Sequence, residues 1–147
     1  MKLRELLATI SNLKVQMPNH EALELQVKGI STNSHACKAG DLFIGMPGTR
    51  VDGGEFWQSA IASGAIAALI SPQAAAKTNS LSEAASPCII TAEEITLACT
   101  QSAAVFYGNP AQKLKLVGVT GTNGKTTTTY LIEFLLTQAD LPTALLG

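Results

Sequence analysis

The chain is 147 residues long, enough for one domain or for a small domain and part of another. Hydrophobic residues make up 46% and charged residues 14%, a composition that fills a core and excludes a disordered chain. A net charge of −1 marks no surface for nucleic acid or membrane, and no apolar run approaches the roughly 20 residues that span a bilayer.

Leu3, Leu6, Leu7 and Ile10 fall at i, i+3, i+4 and i+7, so the chain opens with a short amphipathic helix. Glu5 interrupts any signal-peptide core in MKLRELLATI, which argues against export. Leu23, Leu25 and Val27 alternate with polar residues and predict a half-buried strand. His20, just before it, reads as a surface histidine. Ser31, Thr32, Asn33 and Ser34 then cluster small polar groups. Such a loop can bind a polar ligand or close a self-satisfied turn, and composition favours the turn.

Leu42, Phe43 and Ile44 make a short buried strand. Gly45 to Gly54 then form a glycine-rich loop that also holds Pro47, Arg50 and Asp52. Long irregular loops are more often functional than filler. Arg50 can pair with a phosphate or stand solvated, and spacing alone does not decide. Phe56, Ala60, Ile61 and Ala65 line one helical face, and Ala67 to Ile70 make a second buried strand. A helix between two such strands implies a right-handed βαβ unit.

Residues 71–86 predict a short surface helix, and Cys88, Ile89 and Ile90 a further strand. Thr91 and Glu94 have capping-box spacing and predict a helix through about Tyr107, stopped by Gly108, Asn109 and Pro110. The domain boundary is placed near Ile90, giving domains 1–90 and 91–147. Cys37, Cys88 and Cys99 have no metal-ligand spacing and read as structural thiols, reduced in a cytoplasm.

Residues 114–136, LKLVGVTGTNGKTTTTYLIEFLL, carry the strongest signal. Leu114, Leu116, Val117 and Val119 predict a buried parallel strand. Gly121, Thr122, Asn123 and Gly124 break it. From Lys125 onward, Leu131, Ile132, Leu135 and Leu136 have helical spacing. A glycine turn at a helix start aims N–H groups and a partial positive charge at one point, which suits phosphate. Lys125 can reach β- and γ-phosphates, and the Thr126 hydroxyl can ligate Mg²⁺. The full phosphate-loop pattern would put glycine at position 119, where this chain has Val119. Thr143 to Gly147 read as the next strand. A parallel-sheet ATP domain needs several more strands, so the chain reads as truncated.

Together, TNSHACKAGDLFIGMPGTRVDGGEFWQSAIASGA and VGVTGTNGKTTTTYLIEFLL resemble the Mur ligases, in that family's order and spacing over almost the whole chain. The GTNGKTTTT form is more like the branch that adds a third amino acid than the branch that adds a terminal dipeptide. The resemblance implies an α/β fold: a small N-terminal α/β domain that holds a UDP-linked substrate, then the start of a phosphate-loop, parallel-sheet ATP-binding domain. It implies a cytoplasmic enzyme of peptidoglycan synthesis that uses ATP and Mg²⁺. Its substrates would be UDP-N-acetylmuramoyl-dipeptide and a free amino acid, joined through an acyl phosphate, with no nucleic acid and no membrane insertion.

Carried over by position, Gly121, Thr122, Asn123, Gly124, Lys125, Thr126 and Thr127 contact ATP, with Thr126 near the metal. Thr32, Ser34, Thr49, Arg50 and Val51 contact the uridine nucleotide. Many relatives carry aspartate where Asn33 stands and arginine where His35 stands. The resemblance puts the catalytic residues outside this chain, so the chain alone is expected not to ligate. The alternatives are a non-catalytic UDP-ligand-binding module, the dipeptide-adding Mur ligase, and a switch-type nucleotide hydrolase.

Overall fold

The computed structural model describes residues 1–77 and 87–146. They form two units, Met1–Gln112 and Lys113–Gly147.

The first unit is built on a five-stranded sheet. Its strands are β1 (Leu13–Val15), β2 (Gly29–Ser31), β3 (Asp41–Ile44), β4 (Ala67–Ile70) and β5 (Cys88–Ala92), in the order β1-β5-β4-β3-β2. β2 through β5 pair in parallel, and β1 closes one edge antiparallel to β5. The helices are α1 (Leu3–Leu7), α2 (Trp57–Ala62), α3 (Pro72–Ala76) and α4 (Ile95–Phe106).

Alternation along the strands separates two cores. Leu42, Ile44, Leu69 and Ile90 face one side, packed against Leu3 and Leu6 of α1 and Ile95 and Ala98 of α4. Phe43, Ala68, Ile70 and Ile89 face the other, against Trp57 and Ala60 of α2 and Ala74 of α3. Both faces are covered, which is why β3 to β5 read as continuous apolar runs.

Several expectations change. Leu23, Leu25 and Val27 do not form a strand. Residues Glu21–Glu24 make a 3₁₀ turn, started by His20, whose Nδ1 accepts the Ala22 N–H at 3.0 Å. That local cap outweighs a period-two pattern, and pairing passes to Gly29–Ser31 instead. The capping box at Thr91 and Glu94 also fails. Thr91 lies inside β5, its hydroxyl donating to the Lys14 carbonyl at 3.3 Å, and α4 starts one residue after Glu94 with no side-chain cap.

A boundary near Ile90 would cut β5, and α4 supplies Ile95 and Ala98 to the first core. The units divide at Gln112 and Lys113 instead. The surface helix expected over 71–86 is present as α3, and residues 78–86 of that span lie outside the described residues.

The second unit contains α5 (Lys125–Gln138). Residues 114–120 form no strand, nor do residues 141–146. A strand exists through its ladder partners, and none of the described residues of this unit supplies one. For the same reason the apolar stripe of α5 stays open: Leu131 and Leu135 are exposed, and no described residue of the unit is buried.

Candidate functional site

In open parallel sheets, ligands bind beyond the carboxyl ends of the strands. Here the segment after Ser31 and the loop after Ile44 leave adjacent strands at that end. They carry Thr32 and Ser34, and Thr49, Arg50 and Val51, respectively.

The first segment is a self-bonded turn, as composition favours. The Ser31 hydroxyl donates to the Asn33 carbonyl at 3.0 Å and accepts the Asn33 N–H at 3.2 Å. Asn33 Oδ1 accepts the His35 N–H at 3.0 Å. Such bonding fixes the turn without consuming Thr32, which stands exposed outside this network. Ser34 is only 7% exposed and offers a ligand little surface. The ring of His35 lies 3.5 Å from the Ser59 hydroxyl on α2.

The second segment is a closed loop. The Gly45 N–H donates to the Leu69 carbonyl at 2.9 Å, and the Gly53 N–H to the Met46 carbonyl at 3.0 Å. Pro47 and Asp52 pair across the loop. Thr49, Arg50 and Val51 form its exposed tip. Among the described residues Arg50 has no ion-pair partner, so its guanidinium is available to an anion.

Composition names Asp52 in the loop but does not link it to Ser71. Asp52 Oδ1 accepts the Gly54 N–H at 2.7 Å, and Oδ2 accepts the Ser71 hydroxyl at 2.5 Å. The signals were present: Asp before Gly-Gly, and Ser before Pro, are helix-start signatures.

In the second unit, Gly121 and Gly124 both take positive φ, at 146° and 77°. Asn123, also a residue type that tolerates it, does not. Gly124 is the N-cap of α5, and no side chain caps the helix. The first turn holds no carboxylate. The Lys125 ammonium donates to the Gly121 carbonyl at 2.7 Å and to that of Thr122 at 3.5 Å, folding back over the turn. An uncapped, acid-free helix start under a lysine suits an anion with several oxygens.

The described residues contain no group of three or more His, Cys, Asp or Glu able to hold a metal. No described helix is long and apolar enough to cross a membrane.

The cysteines are free thiols, with Cys37 and Cys88 buried. Burial pushes the Cys88 thiol from its ordinary 9.0 up to about 11. The folded state therefore keeps this proton to higher pH than the unfolded chain. The stability it contributes is whole below about pH 9 and is lost as pH rises toward 11. Iodoacetamide at pH 8 is expected to leave Cys88 unmodified in the native protein and to label it in denaturant, as read by peptide mass mapping. Native labelling would remove the buried-thiol assignment.

A doubly covered sheet with open loops at the carboxyl ends of its parallel strands, and a glycine turn feeding an uncapped helix, define an α/β protein. Residues 26–121 match the Mur ligase family, catalytic domain, and residues 119–147 match the Mur ligase middle domain. The chain belongs to the Mur ligase family. It is 65% identical over 147 residues to the UDP-N-acetylmuramoyl-L-alanyl-D-glutamate–2,6-diaminopimelate ligase of Trichormus variabilis, covering 100% of this chain and 29% of that protein. The protein of the same name from Synechocystis sp. is 49% identical over 154 residues, covering 100% of this chain and 30% of that one. Among solved structures, MurF from Acinetobacter baumannii matches with a TM-score of 0.56 and 25% identity, over 93% of this chain and 27% of that one. The chain thus spans less than a third of the length of these relatives.

Proposed function

We propose that this chain is the N-terminal portion of a cytoplasmic, ATP-dependent ligase of peptidoglycan synthesis. The ligase joins 2,6-diaminopimelate to the D-glutamate carboxylate of UDP-N-acetylmuramoyl-L-alanyl-D-glutamate. Identity of 65% to a relative bearing that name supports the choice of amino acid. The observation that carries the nucleotide half of the reading is the turn itself: two glycines at positive φ feeding an uncapped helix, with Lys125 over them.

In this reading the unit ending at Gln112 holds the UDP-linked substrate. Thr32, Ser34, Thr49, Arg50 and Val51 are its contacts, with Ser34 acting mainly through its backbone because its side chain is buried. Arg50 answers the diphosphate. The residues from Lys113 onward begin the ATP-binding domain. N–H groups from Gly121 to Thr127 receive the phosphates, and the Lys125 ammonium neutralises charge at the transferred group. The Thr126 hydroxyl would supply one ligand to a Mg²⁺. Mg²⁺ would neutralise charge that develops during the transfer. Transfer of the γ-phosphoryl to the D-glutamate carboxylate gives an acyl phosphate. Attack by the amino group then forms the amide and releases phosphate. Catalytic groups for that attack lie outside this chain.

The test is a ligation assay on the full-length protein with the UDP-dipeptide, ATP and either 2,6-diaminopimelate or lysine. Product with diaminopimelate alone is expected. Product only from UDP-tripeptide and D-alanyl-D-alanine would transfer the chain to the branch of its MurF structural neighbour. In the same assay, Arg50→Ala is expected to raise KM for the UDP-substrate by about tenfold or more, the scale of a lost charge-assisted bond. An unchanged KM would take Arg50 out of the site.

A further inference from the structure

We propose that Asp52 and Ser71 form a clamp that positions the Thr49–Val51 tip for the UDP-linked substrate. The inference rests on reading that tip as part of the UDP site. The backbone bonds of Gly45 and Gly53 already close the loop at its base. They leave the orientation of the exposed tip to Asp52, which pairs with Pro47 where the tip ends.

Asp52 divides its carboxylate between two tasks. Oδ1 takes the Gly54 N–H at 2.7 Å and so starts the 3₁₀ turn Gly53–Phe56. Oδ2 takes the Ser71 hydroxyl at 2.5 Å, nineteen residues away. Ser71 sits between β4 and α3, and its oxygen also accepts the Ala74 N–H at 3.0 Å. One hydroxyl thus ties the loop to the next strand–helix connection at the carboxyl edge of the sheet.

The clamp has an electrostatic consequence too. A carboxylate two residues from Arg50 is a ready partner for its guanidinium. With both oxygens held by donors, Asp52 makes no ion pair with Arg50 among the described residues. The arginine charge is left for an anionic ligand. Ser71 is therefore a positioning residue that acts through the tip and touches no substrate.

The test is a kinetic double-mutant cycle in the full-length ligase. Ser71→Ala is expected to raise KM for the UDP-substrate by about tenfold, with kcat and the KM for ATP nearly unchanged, and Ser71→Thr to restore it. In an Arg50→Ala background the same change should add less than about twofold, because the residue it positions is gone. Ser71→Cys keeps the volume with only a weak donor and serves where Ser71→Ala does not fold. Three results would overturn the clamp: no KM change; an equal KM rise in both backgrounds; or a joint loss of kcat and melting temperature that Ser71→Thr does not repair. If Arg50→Ala itself leaves KM unchanged, the UDP reading of the tip fails and the clamp falls with it. If Arg50→Ala acts and Ser71→Ala does not, only the clamp fails.

Discussion

Lys125→Ala is expected to lower ligation by the full-length protein at least about a thousandfold, the scale of losing a group aimed at transition-state charge. The UDP-substrate should bind nearly as tightly as before, because the residues assigned to it lie in the other unit. The geometry separates two roles of this side chain. Its ammonium bonds to the Gly121 carbonyl at 2.7 Å and so braces the turn from within. It is also the cation of a helix start that has no capping side chain and no acid in its first turn. An exposed lysine contributes little to folding stability, so a large kinetic loss with an unchanged melting temperature would isolate the charge term. Lys125→Arg is expected to fail as well, since a planar fork does not replace a compact ammonium at a point contact. Initial rates of phosphate release, with calorimetry of UDP-substrate binding, read both halves. Activity within tenfold of the parent would remove Lys125 from phosphate handling.

The parts of this chain visible in sequence share one property: their signal is local or their burial is two-sided. Phe43 and Ile70 announce strands because each side of the sheet is covered, so no polar alternation is needed. Gly121 to Lys125 announce a turn because glycine and lysine are tied to that geometry by backbone chemistry. Misreadings occurred where a local pattern competed with a partner far along the chain. Leu23, Leu25 and Val27 alternate as a strand does, yet Leu23 is buried from a 3₁₀ turn that His20 starts. Thr91 has the spacing of a cap, but its hydroxyl bonds to the Lys14 carbonyl across β1.

Leu114 to Val119 show the opposite limit. Apolar β-branched composition is a statement about neighbours, and where the described residues offer none, no ladder forms. The edge proposed for the substrate is half legible in the sequence. Arg50 stands out from the loop's composition, Thr49 and Val51 only through the resemblance, and all three lie exposed at the loop tip. The bond of Asp52 to Ser71 is not legible in the loop's own sequence, because Ser71 is brought to it by sheet order rather than by sequence distance.

That sheet order makes Gly45→Ala the substitution with the largest expected cost in stability. A Cβ on Gly45 would lie 2.3 Å from the Gly54 Cα and 2.5 Å from the Gly54 nitrogen. Both are backbone atoms, so no rotamer change can make room. Gly54 is itself a tight position, since a Cβ added there would lie 2.8 Å from the Ala74 Cβ. Shifting Gly45 the other way would break its 2.9 Å bond to the Leu69 carbonyl, on the central strand. Destabilisation of about 3 kcal/mol or more is expected, the upper range for overpacking a filled site. For a unit of this size that is a fall of roughly 10 °C or more in melting temperature.

Trp57 reports it directly. It is the one tryptophan of the chain and is 5% exposed in the core beside this loop, so its emission shifts to the red when the unit opens. If the variant is rescued from unfolding by low temperature, it should still bind UDP-substrate weakly, because the chain can relieve the clash only by lifting the base of the loop that carries Arg50. A melting temperature within about 2 °C of the parent would mean that the loop base is free to move. The Asp52–Ser71 bond could not then hold its tip in place, since a clamp fixes only what is anchored at its foot.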